Sequence, residues 1–483
     1  MNNNITVRSL YKTIAKTKTH LVQSREIATT CVCPYLFKMS YPFGVSEGER
    51  DYLAANTVHD IMSIALPTTI LENWKEGAKK FEWVNVAEKI EKDSQDIVEK
   101  AITNAQEKIK TEEKAVSSKN FNLEGFRADV EYRFHGLLVG IAKRLMTHFE
   151  RPKRALTEVT ISNVNKHHEG RLDAALEFDQ REYGVLDWKT NNMNQASTGG
   201  KDRWQLISNI LLANYRYSGD ENNWDRFRFG AVVYHQKAYL PDLPIQQDWI
   251  DKVKNDRQFA YEVLCGGRPY TQKPQFCPIC DKGGESSSEC QFYRKDSRLA
   301  YEGKLPPEYA KIRGQLIKRR YLVLDERAET HKHKFVIQTM INNFGEKTAL
   351  EELGNSSIIY GNYKLNSVEG NSVILTRNNS NHDTASAITF LEPRKVVRII
   401  GREKEDSVPL LASVSEKGFV KEVYDSKLVI DLEGSIAAER AKQQLSNLLL
   451  TIIPDEINLT RRMLEPMHRF HKLAAEVMLP PEL

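Results

Sequence analysis

Several things are scarce in this sequence. Six cysteines in 483 residues are too few for a disulfide framework. They are also gathered rather than scattered, with Cys31 and Cys33 near the start and Cys265, Cys277, Cys280 and Cys290 far downstream. No apolar run approaches the roughly 18 residues of a membrane-spanning helix. The opening stretch MNNNITVRSLYKTIAKTKTH lacks the apolar core of a secretory signal, so a soluble, cytoplasmic protein is expected. Charge of one sign is missing too. Lys and Arg number 69 against 65 Asp and Glu, a net of +4, so composition alone announces no nucleic-acid partner. There is no GxxxxGK[ST] phosphate loop, and hence no ATPase is expected. No repeat recurs with a period of about 20–50 residues.

What is present is globular: 40% hydrophobic and 28% charged residues. Helical spacing of apolar residues runs from Val86 to Lys110, with Lys, Glu and Gln between them. A more apolar helix is expected over Asp129–Phe149, and another through NTVHDIMSIAL. The pattern then switches to short β-favouring runs, ALTEVTIS, GRLDAALEFD and YGVLDWKT, followed by a helix in DRWQLISNILLANY and a strand in FGAVVYHQKAYL. This is an α/β arrangement over about residues 1–300. A helical linker is expected over 301–354, including YAKIRGQLIKRRYLVL. Residues 355–483 read as strands in SSIIYGNYKL, NSVILTRNN, AITFLEPRKVVRII, PLLASV and KLVIDLE, a small barrel or sandwich, closed by helices at about Ser435–Ile453 and Leu459–Val477.

The stretch with the most chemistry is GRLDAALEFDQREYGVLDWKT. Asp173 and Asp187 are 187 − 173 = 14 residues apart on neighbouring strands, a spacing that can bring both carboxylates to one end of a sheet. Strand alternation puts Lys189 on the face of Asp187. Paired carboxylates are hard oxygen ligands, suited to Mg²⁺ or Mn²⁺ rather than zinc. A lysine beside such an ion can orient or help deprotonate water and offset charge building on a phosphate. Phosphodiester chemistry is the natural use; a solvated strand face is the plain alternative for an isolated Asp-x-Lys.

Six residues standing in order carry a family resemblance: His59 in TVHDI, Glu158 in LTEVTIS, Asp173 in GRLD, Asp187 and Lys189 in LDWKT, and Gln205 in RWQLISN. With these the first 300 residues resemble the RecB-like branch of the PD-(D/E)XK nuclease superfamily. The resemblance implies a restriction-endonuclease-like core, a mixed sheet flanked by helices. It implies that His59, Asp173, Asp187 and the carbonyl of Trp188 hold the metal, that Lys189 acts on the water and that Gln205 positions it. Glu158 is the further acidic residue of the set. The activity implied is a metal-dependent deoxyribonuclease on single-stranded DNA or flaps with a free end, in repair, replication or defence, with a separate helicase or a larger complex as partner. A silent DNA-binding or scaffolding subunit is the alternative. One departure stands out: the tyrosine usual four residues after the glutamine is Asn209 in this chain, with Tyr215 further on.

Cys277-Pro-Ile-Cys280 and Cys290 place three thiols on one loop, 277 − 33 = 244 residues after Cys33. Such a set would clasp the N-terminal segment to the end of the core. Thiolates are soft ligands, and spacing alone favours zinc. A subgroup of RecB-like nucleases, which includes the CRISPR adaptation nuclease, has one cysteine before the core and three after it. That likeness implies a [4Fe–4S] cluster, although the last gap, 290 − 280 − 1 = 9 residues, exceeds the usual five. Cys31 could replace Cys33; Cys265 reads as a non-ligand. Farther on, RRY, EPRKVVR and GREK suit guidance of single-stranded nucleic acid or a docking surface. His331 and His333 in HKH read as surface residues. Trp188 and Trp204 flank the proposed site, and core packing is favoured over base stacking.

Overall fold

The computed structural model describes residues 6–14, 19–32, 49–74, 82–113, 122–190, 201–236, 245–265, 327–356, 359–377, 391–403, 410–424 and 426–455. In chain order the elements are α1 (Val7–Ile14), β1 (Val22–Gln23), α2 (Ser24–Val32), α3 (Glu49–Ala65), α4 (Trp83–Asp93), α5 (Gln95–Glu113), α6 (Leu123–His148), β2 (Arg154–Asn163), β3 (His168–Glu177), β4 (Tyr183–Lys189), α7 (Lys201–Ser218), β5 (Phe227–Tyr234) and α8 (Gln247–Leu264). Then follow α9 (327–344), α10 (Glu346–Asn355), β6 (Tyr360–Glu369), β7 (Ser372–Arg377), β8 (Val396–Arg402), β9 (Ser415–Val423), β10 (Lys427–Leu432), α11 (Ser435–Leu445) and β11 (Leu449–Pro454).

The first five strands form one mixed sheet. β2 and β4 are antiparallel to β3, whereas β4 and β5 run parallel through the α7 crossover. The second edge of β3 is divided: β4 pairs only with residues 174–177, and β1 pairs with His168 and Glu169. Among the described residues β3 has no strand partner between them on that side, and this fork positions the candidate site. α3 to α6 cover one face, where Ile61, Ile90, Ile102, Phe134 and Trp188 share a core. α7 covers the other face. Its Ile210 and Leu212 join a core that continues without a break into the barrel residues Val373, Ile399, Val420 and Ile452. The barrel is closed, in the order β10-β7-β6-β11-β8-β9, and antiparallel throughout. Closure removes the exposed edges of a small sheet.

Several expectations need correction. The Val86–Lys110 helix is two helices, broken at Ser94, whose N–H turns back to Glu91 O while its own carbonyl accepts from Ile97 and Val98. Apolar spacing carries across such a break because both helices present Ile90, Val98 and Ile102 to the same core. The helix expected from Asp129 begins earlier, at Leu123, where the Asn122 side chain caps Gly125 N–H. Residues 410–414 of PLLASV form turns and bends; the strand follows, as β9. The helix expected over Ser435–Ile453 stops at Leu445, and Leu449–Pro454 is the strand that closes the barrel between β6 and β8. A short apolar run cannot be told from a helical segment by periodicity alone. The helices expected in YAKIRGQLIKRRYLVL and at Leu459–Val477 lie outside the described residues.

Gly136 sets the closeness of α6 to the end of β5. A Cβ there would stand 2.0 Å from the backbone oxygen of His235. Alanine would otherwise favour the helix by roughly 1 kcal/mol, but a backbone oxygen cannot swing aside. Gly136→Ala is therefore expected to destabilise by about 1–3 kcal/mol, read as a lower urea midpoint with an unchanged slope.

Candidate metal centre

Glu158 and Asp173 face each other across the β2–β3 ladder, in the register that pairs Thr157 with Ala174 and Val159 with Leu172. Regular alternation fails at this point. Ala174 packs in the α3–α6 core, yet both Leu172 and Ala175 pack in the α7 core. On β2 the irregularity is Glu158 itself, at φ +56°, a left-handed conformation that side chains other than glycine seldom adopt. Such local strain is held only where surrounding structure enforces it. It brings the carboxylate beside Asp173 and His59 of α3.

The three side chains form the one group among the described residues with metal-ligand spacing, their donor atoms all within 4.8 Å of one another. His59 Nδ1 is 3.9 Å from both Glu158 Oε1 and Asp173 Oδ1. The Trp188 indole N–H donates to the same His59 nitrogen at 2.8 Å, and Trp188 backbone N–H donates to Asp173 Oδ2 at 2.9 Å. That second bond exists because β4 has already left β3: the backbone donor of Trp188 meets a carboxylate instead of a ladder carbonyl. Among the described residues Glu158 Oε1 accepts no hydrogen bond, while Oε2 is 2.6 Å from the exposed Arg171 guanidinium.

On β4, Asp187 is fully buried, and its Oδ2 is 2.6 Å from Lys189 Nζ. Gln205 of α7 spans the pair, donating to Asp187 Oδ1 and accepting from Lys189 Nζ, each at 3.4 Å. Burial pushes the Asp187 carboxyl up to about 7; Lys189 pulls it down and Asp173 pushes it further up. Burial disfavours the Lys189 ammonium, yet Asp187, Asp173 and Asp202 outweigh it and raise its pKa, so the amine stays charged. Burial likewise opposes charging of His59, but Asp173 and Glu158 prevail and raise it. Glu158 is held down at about 2 because Arg171 overcomes the cost of burial.

One imidazole and two carboxylates, with Glu158 Oε1 accepting no hydrogen bond from the described residues, fit a hard divalent cation such as Mg²⁺ or Mn²⁺. Asp187 is turned to Lys189 and stands outside this closest trio. The Trp188 ring is fully buried and Trp204 is buried in the α2–α7–α8 core, so neither offers a stacking face. Tyr215 does not replace the tyrosine expected at Asn209: its hydroxyl donates to Gln338 of α9, away from the trio. Cys33, Cys277, Cys280 and Cys290 lie outside the described residues. Cys31 is a free thiol in the apolar α2–α7–α8 core, and burial pushes its pKa up, which disfavours the thiolate a metal needs.

His331, expected at the surface, is buried, and its Nδ1 accepts from Leu21 N–H at 2.9 Å. Two cations of the barrel segments are engaged within the protein: Arg398 pairs with Asp455 at 2.6 Å, and Arg402 with Glu346 at 2.5 Å. No helix among the described residues is long and apolar enough to cross a membrane. No protein-family model matches the chain, and no curated protein matches it.

Proposed function

We propose that the protein is a metal-dependent nuclease with a PD-(D/E)XK core of the RecB-like kind, and that it hydrolyses phosphodiester bonds in single-stranded DNA or flaps with a free end. The observation that carries this reading is the meeting of His59, Glu158 and Asp173 at the β3–β4 fork, beside the Asp187–Lys189–Gln205 set. A structural ion-pair cluster would account for Asp187 and Lys189. It would not account for a strained glutamate directed at a histidine and a second carboxylate.

A divalent cation bound by this trio, with Asp187 and the Trp188 carbonyl as the further ligands the sequence resemblance implies, would supply Lewis-acid polarisation and a more acidic water. The chain's own groups do the rest. Trp188 backbone N–H fixes the Asp173 carboxylate, and its indole N–H holds His59 Nδ1 until a cation takes that lone pair. Lys189, charged and held by Asp187, presents a cation to the phosphate as negative charge develops. Gln205 restrains both members of that pair. Arg171, exposed to solvent beside Glu158, offers a cation that would draw a phosphate to this side of the site. The four-cysteine site enters the proposal on sequence grounds alone; iron, sulfide and zinc analysis of anaerobically purified protein decides between [4Fe–4S] and zinc.

The test is digestion of end-labelled single-stranded DNA with Mg²⁺ or Mn²⁺, against a chelator control and Asp173→Asn. The expected result is metal-dependent shortening that chelation stops and the variant lacks. Wild-type protein that binds the DNA yet leaves it intact with either ion, free ends present, would replace this reading with that of a scaffolding subunit.

A further inference from the structure

The elements that carry His59 and Glu158 are joined to each other by the barrel. Arg440 of α11 lies between two partners. Its Nε and Nη2 reach the Glu416 carboxylate of β9 at 2.5 and 2.8 Å, and its Nη1 donates to Ser63 Oγ of α3 at 3.2 Å. One turn along α11, Gln444 donates to Thr157 Oγ1 at 2.6 Å, and Thr157 in turn donates to Ser63 O at 2.6 Å. Thr157 is the neighbour of Glu158 on β2, and Ser63 sits one helical turn after His59 on α3. Arg440, Glu416, Ser63 and Thr157 are all buried.

We propose that Arg440 and Gln444 are positioning residues of the metal centre. Residues from the barrel unit lock the α3–β2 joint and so hold His59 and Glu158 at ligand separation. The inference rests on the metal reading above. The strained Glu158 is what makes such a lock necessary, because its left-handed backbone relaxes unless the flanking strand is restrained. The barrel is thus part of the catalytic body, and whatever loosens it loosens the site. Residues that support metal ligands from behind typically change affinity or activity about 10–100-fold when removed.

The test is Mn²⁺ binding without DNA, followed by electron paramagnetic resonance, on the full chain. It is accompanied by single-stranded DNA binding in Ca²⁺ and by the Mn²⁺ dependence of cleavage. Arg440→Gln is expected to raise the half-saturating Mn²⁺ concentration about tenfold with DNA binding unchanged, Arg440→Lys to recover part of the loss, and Gln444→Leu to shift it in the same direction by less. Removing the arginine alone strands Glu416, so the Arg440→Met/Glu416→Met double variant, an apolar replacement of the pair, keeps the fold while cutting the tie. If that variant melts like wild type and binds Mn²⁺ like wild type, the positioning role is overturned. If wild type and Asp173→Asn bind Mn²⁺ alike, the metal reading itself fails, and this inference with it.

Discussion

Lys189→Ala is expected to slow Mn²⁺-supported cleavage of single-stranded DNA by about 10²–10³-fold in single turnover, the effect of removing one preorganised charge donor from a developing anion. Substrate binding should change little, because Lys189 is mostly buried and pairs with Asp187 rather than projecting into solvent. The variant is also expected to fold. Asp187, already pushed up to about 7 with the lysine present, would take up a proton at neutral pH rather than remain a stranded anion, and Gln205 still donates to its other oxygen. Lys189→Arg should not restore the rate, since a planar fork does not substitute for a point charge held between Asp187 and Gln205. Rates are best taken with the protein in excess of DNA and above the binding constant, with circular dichroism on each variant. Cleavage equal to wild type in a folded Lys189→Ala protein would reduce the lysine to a counter-ion for Asp187.

The strands that carry Asp173, Asp187 and Lys189 are legible in the sequence. ALTEVTIS, GRLDAALEFD and YGVLDWKT became β2, β3 and β4, and alternation put Asp187 and Lys189 on one face, where they pair. Alternation also hid something. Leu172 and Ala175 share a core although their spacing is odd, and nothing in LTEVTIS announces a left-handed glutamate. That irregularity is enforced by tertiary contact, not by local propensity. The sequence presents Glu158 as one acidic residue of a set, not as the partner closest to His59 and Asp173. Arg440 and Gln444 are beyond any local signal, being some 280 residues from the strand they steady (440 − 158 = 282). The expected C-terminal helix failed at Leu449–Pro454 for a related reason: an apolar hexapeptide takes the form that the open slot between β6 and β8 allows.

The second large effect lies away from the metal centre, in the buried charges that join β3 to α9 and the barrel. Glu169 accepts from Lys334, from Ser162 Oγ at 2.5 Å and from Gln23 Nε2 at 2.9 Å, with His331 Nε2 3.9 Å away. Lys334→Met would strand this carboxylate, and removing one partner of a buried pair costs about 3–5 kcal/mol. The cost should depend on pH. Burial alone would raise the Glu169 pKa, but Lys334, His331 and Arg398 outweigh it and hold it well below the usual carboxylate range. A depressed carboxylate contributes stability above its unfolded pKa of about 4.3 and loses it as pH falls. Without Lys334 that depression shrinks, so the difference between variant and wild type narrows on acidification. His168 and His331 act in the same direction but earlier. Burial lowers both well below the ordinary value, with Arg257 adding to the effect at His168. They stay neutral in the fold, while the unfolded chain protonates its histidines below a pH of about 6.5. Each group then removes up to about 1.4 kcal/mol per pH unit as pH falls from there. Urea midpoints at pH 7, 6 and 5 should therefore fall for wild type, while the Lys334→Met penalty should hold level over that range and shrink only below a pH of about 4.3. A penalty as large at pH 3 as at pH 7 would mean that Lys334 acts through packing of its aliphatic stem, with the charge contributing nothing.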